Sequence, residues 1–179
     1  MKLDHYQYKV LDFDGTICKL IVDWKGLKNE LNQSFNIEKS STFKLMDILN
    51  EIFMRGEKEK DLALNIIKSY EQPEGIPIFE ELNLSLINSC DSFYVISNNL
   101  HSTVSSVLNI AGLSSKCKLI IGIDDTFKPK PNETSFLKLT NFVGDLDERK
   151  YIYIGDTEVD EKFAEKVKVD FCHIKKIAK

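Results

Sequence analysis

From residue 90 onward, short apolar runs alternate with amphipathic stretches of helical length, and few folds satisfy that alternation. Runs of four to six residues rich in Val, Ile, Tyr and Phe suit buried strands. The stretches between them are long enough to carry the chain back over a sheet, which is the α/β arrangement. Adding a similar run near the start, the sequence predicts five parallel strands at 8–11, 93–97, 119–123, 151–154 and 169–174. Helices are expected near 78–89, 101–112, 133–143 and 158–167, with Gly112 as a natural stop for the second.

Residues 18–76 interrupt the alternation and have helical periodicity throughout. Trp24, Leu27, Leu31 and Phe35 recur every three or four residues, as do Leu45, Ile48 or Leu49, and Ile52 before Gly56, then Leu62, Ile66 and Tyr70. About three helices therefore form an insert. Gln72-Pro73-Glu74-Gly75-Ile76-Pro77 is a breaker-rich return linker. The domain division is then 1–17 with 77–179 as the core and 18–76 as the insert. Because the insert leaves the chain directly after the first strand, it can stand over the carboxyl ends of the strands, where open α/β sheets place their ligands.

Composition narrows the function classes. Twenty-four basic residues against 28 acidic ones give a net charge of −4 with no long single-sign block, so nothing points to nucleic acid. No stretch approaches the roughly 20 apolar residues of a membrane span, and residues 1–5 open no apolar signal region. Cys18, Cys90, Cys117 and Cys172 are scattered singly without metal or redox spacing, which suits reduced thiols and a cytoplasmic location.

Polar residues gather where strands end. Asp12 and Asp14, in Val10-Leu11-Asp12-Phe13-Asp14-Gly15-Thr16, are two positions apart on an extended chain, so both project to one side while Phe13 turns into the core. Converging carboxylates repel, so the pair requires exposure, a shared proton or a cation, and a hard divalent ion is the simplest. On its own, the pattern also suits a solvated Asp-Gly turn. Ser97-Asn98-Asn99 follows the second strand and precedes a helix, suiting either a helix cap or a phosphate oxygen. Lys128-Pro129-Lys130-Pro131-Asn132 is a stiff extended loop that can aim Lys128 or Lys130 at an anion, or simply expose both. Gly155-Asp156-Thr157-Glu158-Val159-Asp160 places two acids one helical turn apart after the fourth strand. A sheet ordered 3-2-1-4-5 sets strands one and four side by side and brings Asp12, Asp14, Asp156 and Asp160 together.

These four motifs, in this order, resemble the haloacid dehalogenase superfamily of Mg-dependent phosphohydrolases, and in particular its phosphoglycolate-phosphatase-like members with a helical cap. The resemblance implies a Rossmann-like core with the insert as cap. It also implies Asp12 as nucleophile, Asp14 as general acid and base, and an aspartyl-phosphate intermediate. By the same resemblance Ser97 and Asn98 would bind the phosphoryl group. Lys128, the lysine preceding Pro-x-Pro, would be the catalytic and phosphate-binding lysine, with Lys130 in reserve. Mg²⁺ would be held by Asp12, Asp14 through its backbone carbonyl and Asp156, with Asp160 close by or bridged through water. The implied partner is a small phosphorylated metabolite, with the natural substrate and oligomeric state open. Asp14 speaks against carbon-halogen cleavage. A phosphomutase of the same superfamily, a receiver-like phosphoacceptor and a non-catalytic phospho-ligand binder are the alternatives. Trp24, Lys25, Arg55 and Lys58 are candidate specificity residues of the insert.

Overall fold

Alternation along each strand decides which helix covers which face. In the computed structural model, which describes residues 3, 5–37, 44–71 and 77–177, the strands are β1 (Tyr8–Leu11), β2 (Phe93–Ile96), β3 (Cys117–Ile121), β4 (Tyr151–Gly155) and β5 (Asp170–His173). They form one parallel sheet ordered β3-β2-β1-β4-β5. Leu11, Val95, Ile152 and Ile154 face one side with Ile87 of α4 (Glu81–Ser89) and Val104, Val107 and Leu108 of α5 (His101–Ile110). Val10, Ile96, Ile121, Tyr151 and Tyr153 face the other, with Phe136 and Leu139 of α6 (Thr134–Val143) and Phe163 and Ala164 of α7 (Glu158–Lys166). The short α8 (Ile174–Ile177) follows β5.

The pairing of β1 ends with Leu11 beside Val95 on one flank and Ile154 on the other. The residues that follow all three strands therefore emerge at one edge. The third strand begins two residues earlier than the sequence predicts, at Cys117. Ile123 leaves the sheet for a short 3-10 turn at Ile123–Asp125, and its N–H donates to the Asn99 carbonyl at 3.0 Å.

Three helices lie between β1 and α4: α1 (Trp24–Ser34), α2 (Leu45–Arg55) and α3 (Glu57–Glu71). Asp23 caps α1 by accepting from the Gly26 N–H at 2.8 Å. Gly56, with φ +141°, joins α2 to α3 in a single residue, where a side chain would be strained. Their apolar stripes meet in a cluster of Leu27, Leu31, Ile48, Leu49, Ile52, Ala63 and Ile67. That cluster also takes in Leu100 and Ile123, from the segments following β2 and β3. Phe53 of α2 packs edge-on against Phe127 at 5.6 Å. The insert thus packs on segments that follow the carboxyl ends of β2 and β3. Of the return linker, residues 72–76 lie outside the described residues. Among the described residues no helix is long and apolar enough to cross a membrane.

Phe163 is fully buried and packs against Tyr153 with ring centroids 5.0 Å apart, one turn along α7 from Asp160. Phe163→Ala should cost about 3–5 kcal/mol of stability through lost burial and an unfilled cavity, read as a lower denaturation midpoint in urea.

Candidate active site

The edge where β1, β2 and β4 end carries the polar motifs. The Asp12 N–H donates to the Ile154 carbonyl at 2.8 Å, continuing the ladder by one residue, so its carboxylate is delivered into the gap beside β4. The chain then turns sharply, with the Gly15 N–H donating to the Cys18 carbonyl at 2.6 Å. Gly15 has φ +89°, and a Cβ there would stand 2.2 Å from an Asp156 carboxylate oxygen. Only glycine both turns the backbone here and lets Asp156 lie against it. Gly155 is required for a similar reason, since its Cβ would lie 2.5 Å from the Cβ of Asp160.

Asp12, Asp156 and Asp160 each direct a carboxylate oxygen to one point, with the three oxygens within 4.8 Å of one another. Thr157 caps α7 and fixes Asp160: its hydroxyl donates to Asp160 Oδ2 at 2.6 Å and its N–H to the same atom at 3.1 Å. The Asp14 side chain points elsewhere, with Oδ1 accepting from the Leu20 N–H at 2.8 Å. Asp14 therefore lies beside the three-carboxylate cluster and lines both neighbouring clefts.

The structure separates the two candidate lysines. Lys128 is exposed, whereas Lys130 is 4% exposed and inserts its ammonium among the acids. Lys130 Nζ donates to Asp12 Oδ1 at 2.6 Å, to Asp160 Oδ1 at 2.7 Å and to the Tyr153 hydroxyl at 2.8 Å. The reason is a non-local tether: the Lys130 N–H donates to Asn98 Oδ1 at 2.8 Å, drawing this point of the loop to the end of β2. Asn98 thus positions the lysine.

The second motif lies next to this tether. Ser97 is buried, its hydroxyl donating to Asn99 Oδ1 at 2.9 Å and accepting from the Asn99 N–H at 3.1 Å. Two buried polar groups beside the site are not among the residues the sequence motifs mark. Tyr153 is fully enclosed, accepts from Lys130 and donates to the Ile96 carbonyl at 2.9 Å. A tyrosine amid Ile in a central strand signals a hydroxyl that needs a partner. Glu71 is the other. It is 2% exposed and accepts from Asn99 Nδ2 and the Leu100 N–H, both at 2.9 Å. Its signal was an acid at the carboxyl end of a helix, against the dipole.

Burial dominates the electrostatics. It raises the carboxyl of Asp12, against the pull of Lys130, and that of Asp14, against the Leu20 hydrogen bond. Burial and the charge of Asp160 also raise Asp156. For Asp160, Lys130 and Thr157 overcome burial and hold it below its ordinary value. Burial likewise opposes the charge on Lys130, but Asp12 and Asp160 keep it protonated well above the usual range. Three crowded carboxylates sharing one ammonium carry an excess of negative charge. Hard oxygen donors in this arrangement fit a divalent cation such as Mg²⁺.

Two clefts of about 450 and 240 Å³ share Asp14, Trp24 and Thr157. The smaller holds Asp12, Asn98 and Lys130 and is walled by Trp24, Leu45, Met46 and Val159. Of the candidate specificity residues, Trp24 lines both clefts, while Lys25 and Lys58 are exposed. Arg55 is engaged within the insert, donating to the Phe35 carbonyl at 2.6 Å and to Glu51 at 2.5 Å.

Residues 10–174 match the family model for haloacid dehalogenase-like hydrolases. No curated protein matches the chain. Among solved structures, a predicted phosphoglycolate phosphatase of Lactobacillus plantarum superposes with a TM-score of 0.67 at 17% identity, covering 94% of this chain and 86% of that one. A second predicted phosphoglycolate phosphatase, from Haemophilus somnus, gives 0.66 at 16%, covering 95% and 85%. The magnesium-bound hydrolase YfnB of Bacillus subtilis gives 0.60 at 19%, covering 94% and 88%. At these identities the structures establish a shared fold.

Lys130→Ala leaves Asp12 and Asp160 buried without a countercharge and should cost about 3–5 kcal/mol in metal-free urea denaturation. Lys128→Ala should stay within about 0.5 kcal/mol of the parent in the same measurement.

Proposed function

Because this chain belongs to the haloacid dehalogenase-like hydrolases, we propose that it is a Mg²⁺-dependent phosphatase of small phosphomonoesters working through an aspartyl-phosphate. One observation carries the reading. A buried carboxylate, Asp12, is held by one oxygen on Lys130 while its residue lines an open cleft with Asp14 and Asn98. A nucleophile so fixed approaches phosphorus without first reorganising.

In this reading a carboxylate oxygen of Asp12 forms a bond to phosphorus as the ester oxygen departs in line. Asp14, with its raised carboxyl, gives its proton to the departing oxygen, then takes one from the water that cleaves the acyl phosphate. Ser97 and the Asn98 backbone bind phosphoryl oxygens, and Lys130 balances charge on Asp12 and the phosphoryl group. The candidates to hold Mg²⁺ are Asp12, Asp156, Asp160 and the Asp14 backbone carbonyl. When bound, the ion neutralises charge on the carboxylates and phosphoryl oxygens.

Residues 18–76 act as the cap, excluding water, and the rest of the chain as the catalytic core. The Trp24, Leu45 and Met46 walls receive the remainder of a small phosphorylated metabolite. The scattered cysteines suit a reducing, cytoplasmic setting.

A generic aryl phosphate offered with Mg²⁺ or with EDTA tests this. Multiple turnover is expected only with Mg²⁺, and Asp12→Asn should abolish it. Asp14→Asn should slow turnover about 10²–10⁴-fold and leave phosphorylated protein that can be trapped by acid quench. One stoichiometric phosphorylation of the parent without turnover would count for a phosphoacceptor. Full activity of Asp12→Asn would overturn the mechanism. A panel of phosphorylated metabolites, phosphoglycolate included, identifies the substrate.

A further inference from the structure

We propose that Glu71, the last residue of α3, is a positioning residue. Through the Asn99 carboxamide it decides whether the Ser97 hydroxyl proton is committed to the protein or free for a phosphoryl oxygen. The proposal rests on the reading of Ser97 as a phosphoryl ligand.

The geometry is a relay of three side chains. Glu71 belongs to the insert but its carboxylate reaches the core, where one oxygen accepts from the Leu100 N–H just ahead of α5 and the other from Asn99 Nδ2, both at 2.9 Å. Thr103 adds a further hydrogen bond. An ionised carboxylate only accepts, so Asn99 must turn its NH₂ toward Glu71 and its Oδ1 the opposite way. On that side lies Ser97 Oγ, 2.9 Å from Asn99 Oδ1 and 3.1 Å from the Asn99 N–H. With Glu71 ionised, the single proton of Ser97 goes to Asn99.

A protonated Glu71 reverses the relay. It can donate to Asn99 Oδ1 while its other oxygen still accepts from Leu100. The carboxamide then turns over, Asn99 Nδ2 donates to Ser97 Oγ, and the Ser97 proton points outward. A glutamine can likewise donate to Asn99 Oδ1, through its NH₂, while its oxygen accepts from Leu100.

The switch lies in a usable range. Burial pushes the Glu71 carboxyl up to about 7 against the hydrogen bonds from Leu100, Asn99 and Thr103, and Asp124 adds to the rise. Asp124 accepts from the His101 N–H, while His101 and Lys138 both pair with Asp125. On its own helix Lys68 lies in the last turn, and on α1 Glu30 is engaged by Tyr70. Glu71 contacts none of the candidate metal ligands. Below its titration Ser97 is an outward donor; as pH rises through that range the donor is withdrawn and phosphate binding weakens.

The test is calorimetric titration of inorganic phosphate into the Mg²⁺-loaded parent and Glu71→Gln from pH 6 to 8.5. Every other group is common to the two proteins, so effects that do not arise at Glu71 cancel in the ratio of Kd values. The ratio of parent to variant should be near one at the acid end and rise to about tenfold at the alkaline end, the worth of one hydrogen bond. Aryl phosphate KM should follow the same ratio, with kcat alike in the two proteins. Asn99→Ala, which removes the relay and leaves Glu71 in place, should lose the same pH-dependent step and keeps the idea testable should Glu71→Gln fold poorly. A parent that binds phosphate with a Kd ratio flat across the range overturns the relay alone. A parent that neither binds phosphate nor hydrolyses the aryl ester overturns the phosphatase reading and the relay with it.

Discussion

The active edge of this molecule is organised around one buried ammonium. Lys130 Nζ touches Asp12 at the end of β1, Asp160 in the first turn of α7 and Tyr153 on β4, and the Tyr153 hydroxyl continues to the Ile96 carbonyl of β2. The ammonium thus joins the Lys130 loop to the end of β1 and to the β4–α7 segment, and through Tyr153 to the end of β2. A buried ion pair is weak evidence of net stabilisation, because desolvating its members costs about as much as their attraction returns. The arrangement persists because the apolar faces of the sheet, from Leu11 to Ile154 and from Val10 to Tyr153, fix the strands in register.

That dependence explains which parts of the structure were legible in the sequence. Strand identity follows from β-branched and aromatic runs, a local signal, and the sheet order 3-2-1-4-5 is the one expected to bring the four motif aspartates together. The start of β3 was misplaced because Cys117 and Lys118 sit on an edge strand, where burial is incomplete and the apolar signal fades, while Ile123 is apolar for the sake of the insert. Lys128 and Lys130 are equivalent in local terms: each precedes a proline in the same stiff loop. What separates them is the Asn98 tether from β2, 32 positions away, which no periodicity reveals.

Glu71 and Tyr153 were missed for a different reason. Each breaks a local rule, an acid at the wrong end of a helix and a hydroxyl in a closed strand, and each is satisfied only by a partner from another element. Such exceptions in a locally consistent sequence are expected at functional or strained sites. Reading the motifs alone finds the carboxylates and the serine. Reading the violations as well would have found the groups that aim them.

Charge then bears on what the proposed site could bind. Asp12, Asp156 and Asp160, if all ionised, set three negative charges against one positive charge on Lys130. In that state the cluster would repel a phosphate dianion, and burial above all, with the charge of Asp160 adding to it, raises the carboxyls of Asp12 and Asp156. A divalent cation relieves the same strain without protonating the nucleophile. It would bring the cluster to neutrality and leave Asp12 ionised, which a carboxylate nucleophile requires. On this account the excess of acid over base is functional. A second buried lysine would neutralise the cluster as well, but it would replace an exchangeable cation with a fixed one and crowd the point at which the three carboxylates converge.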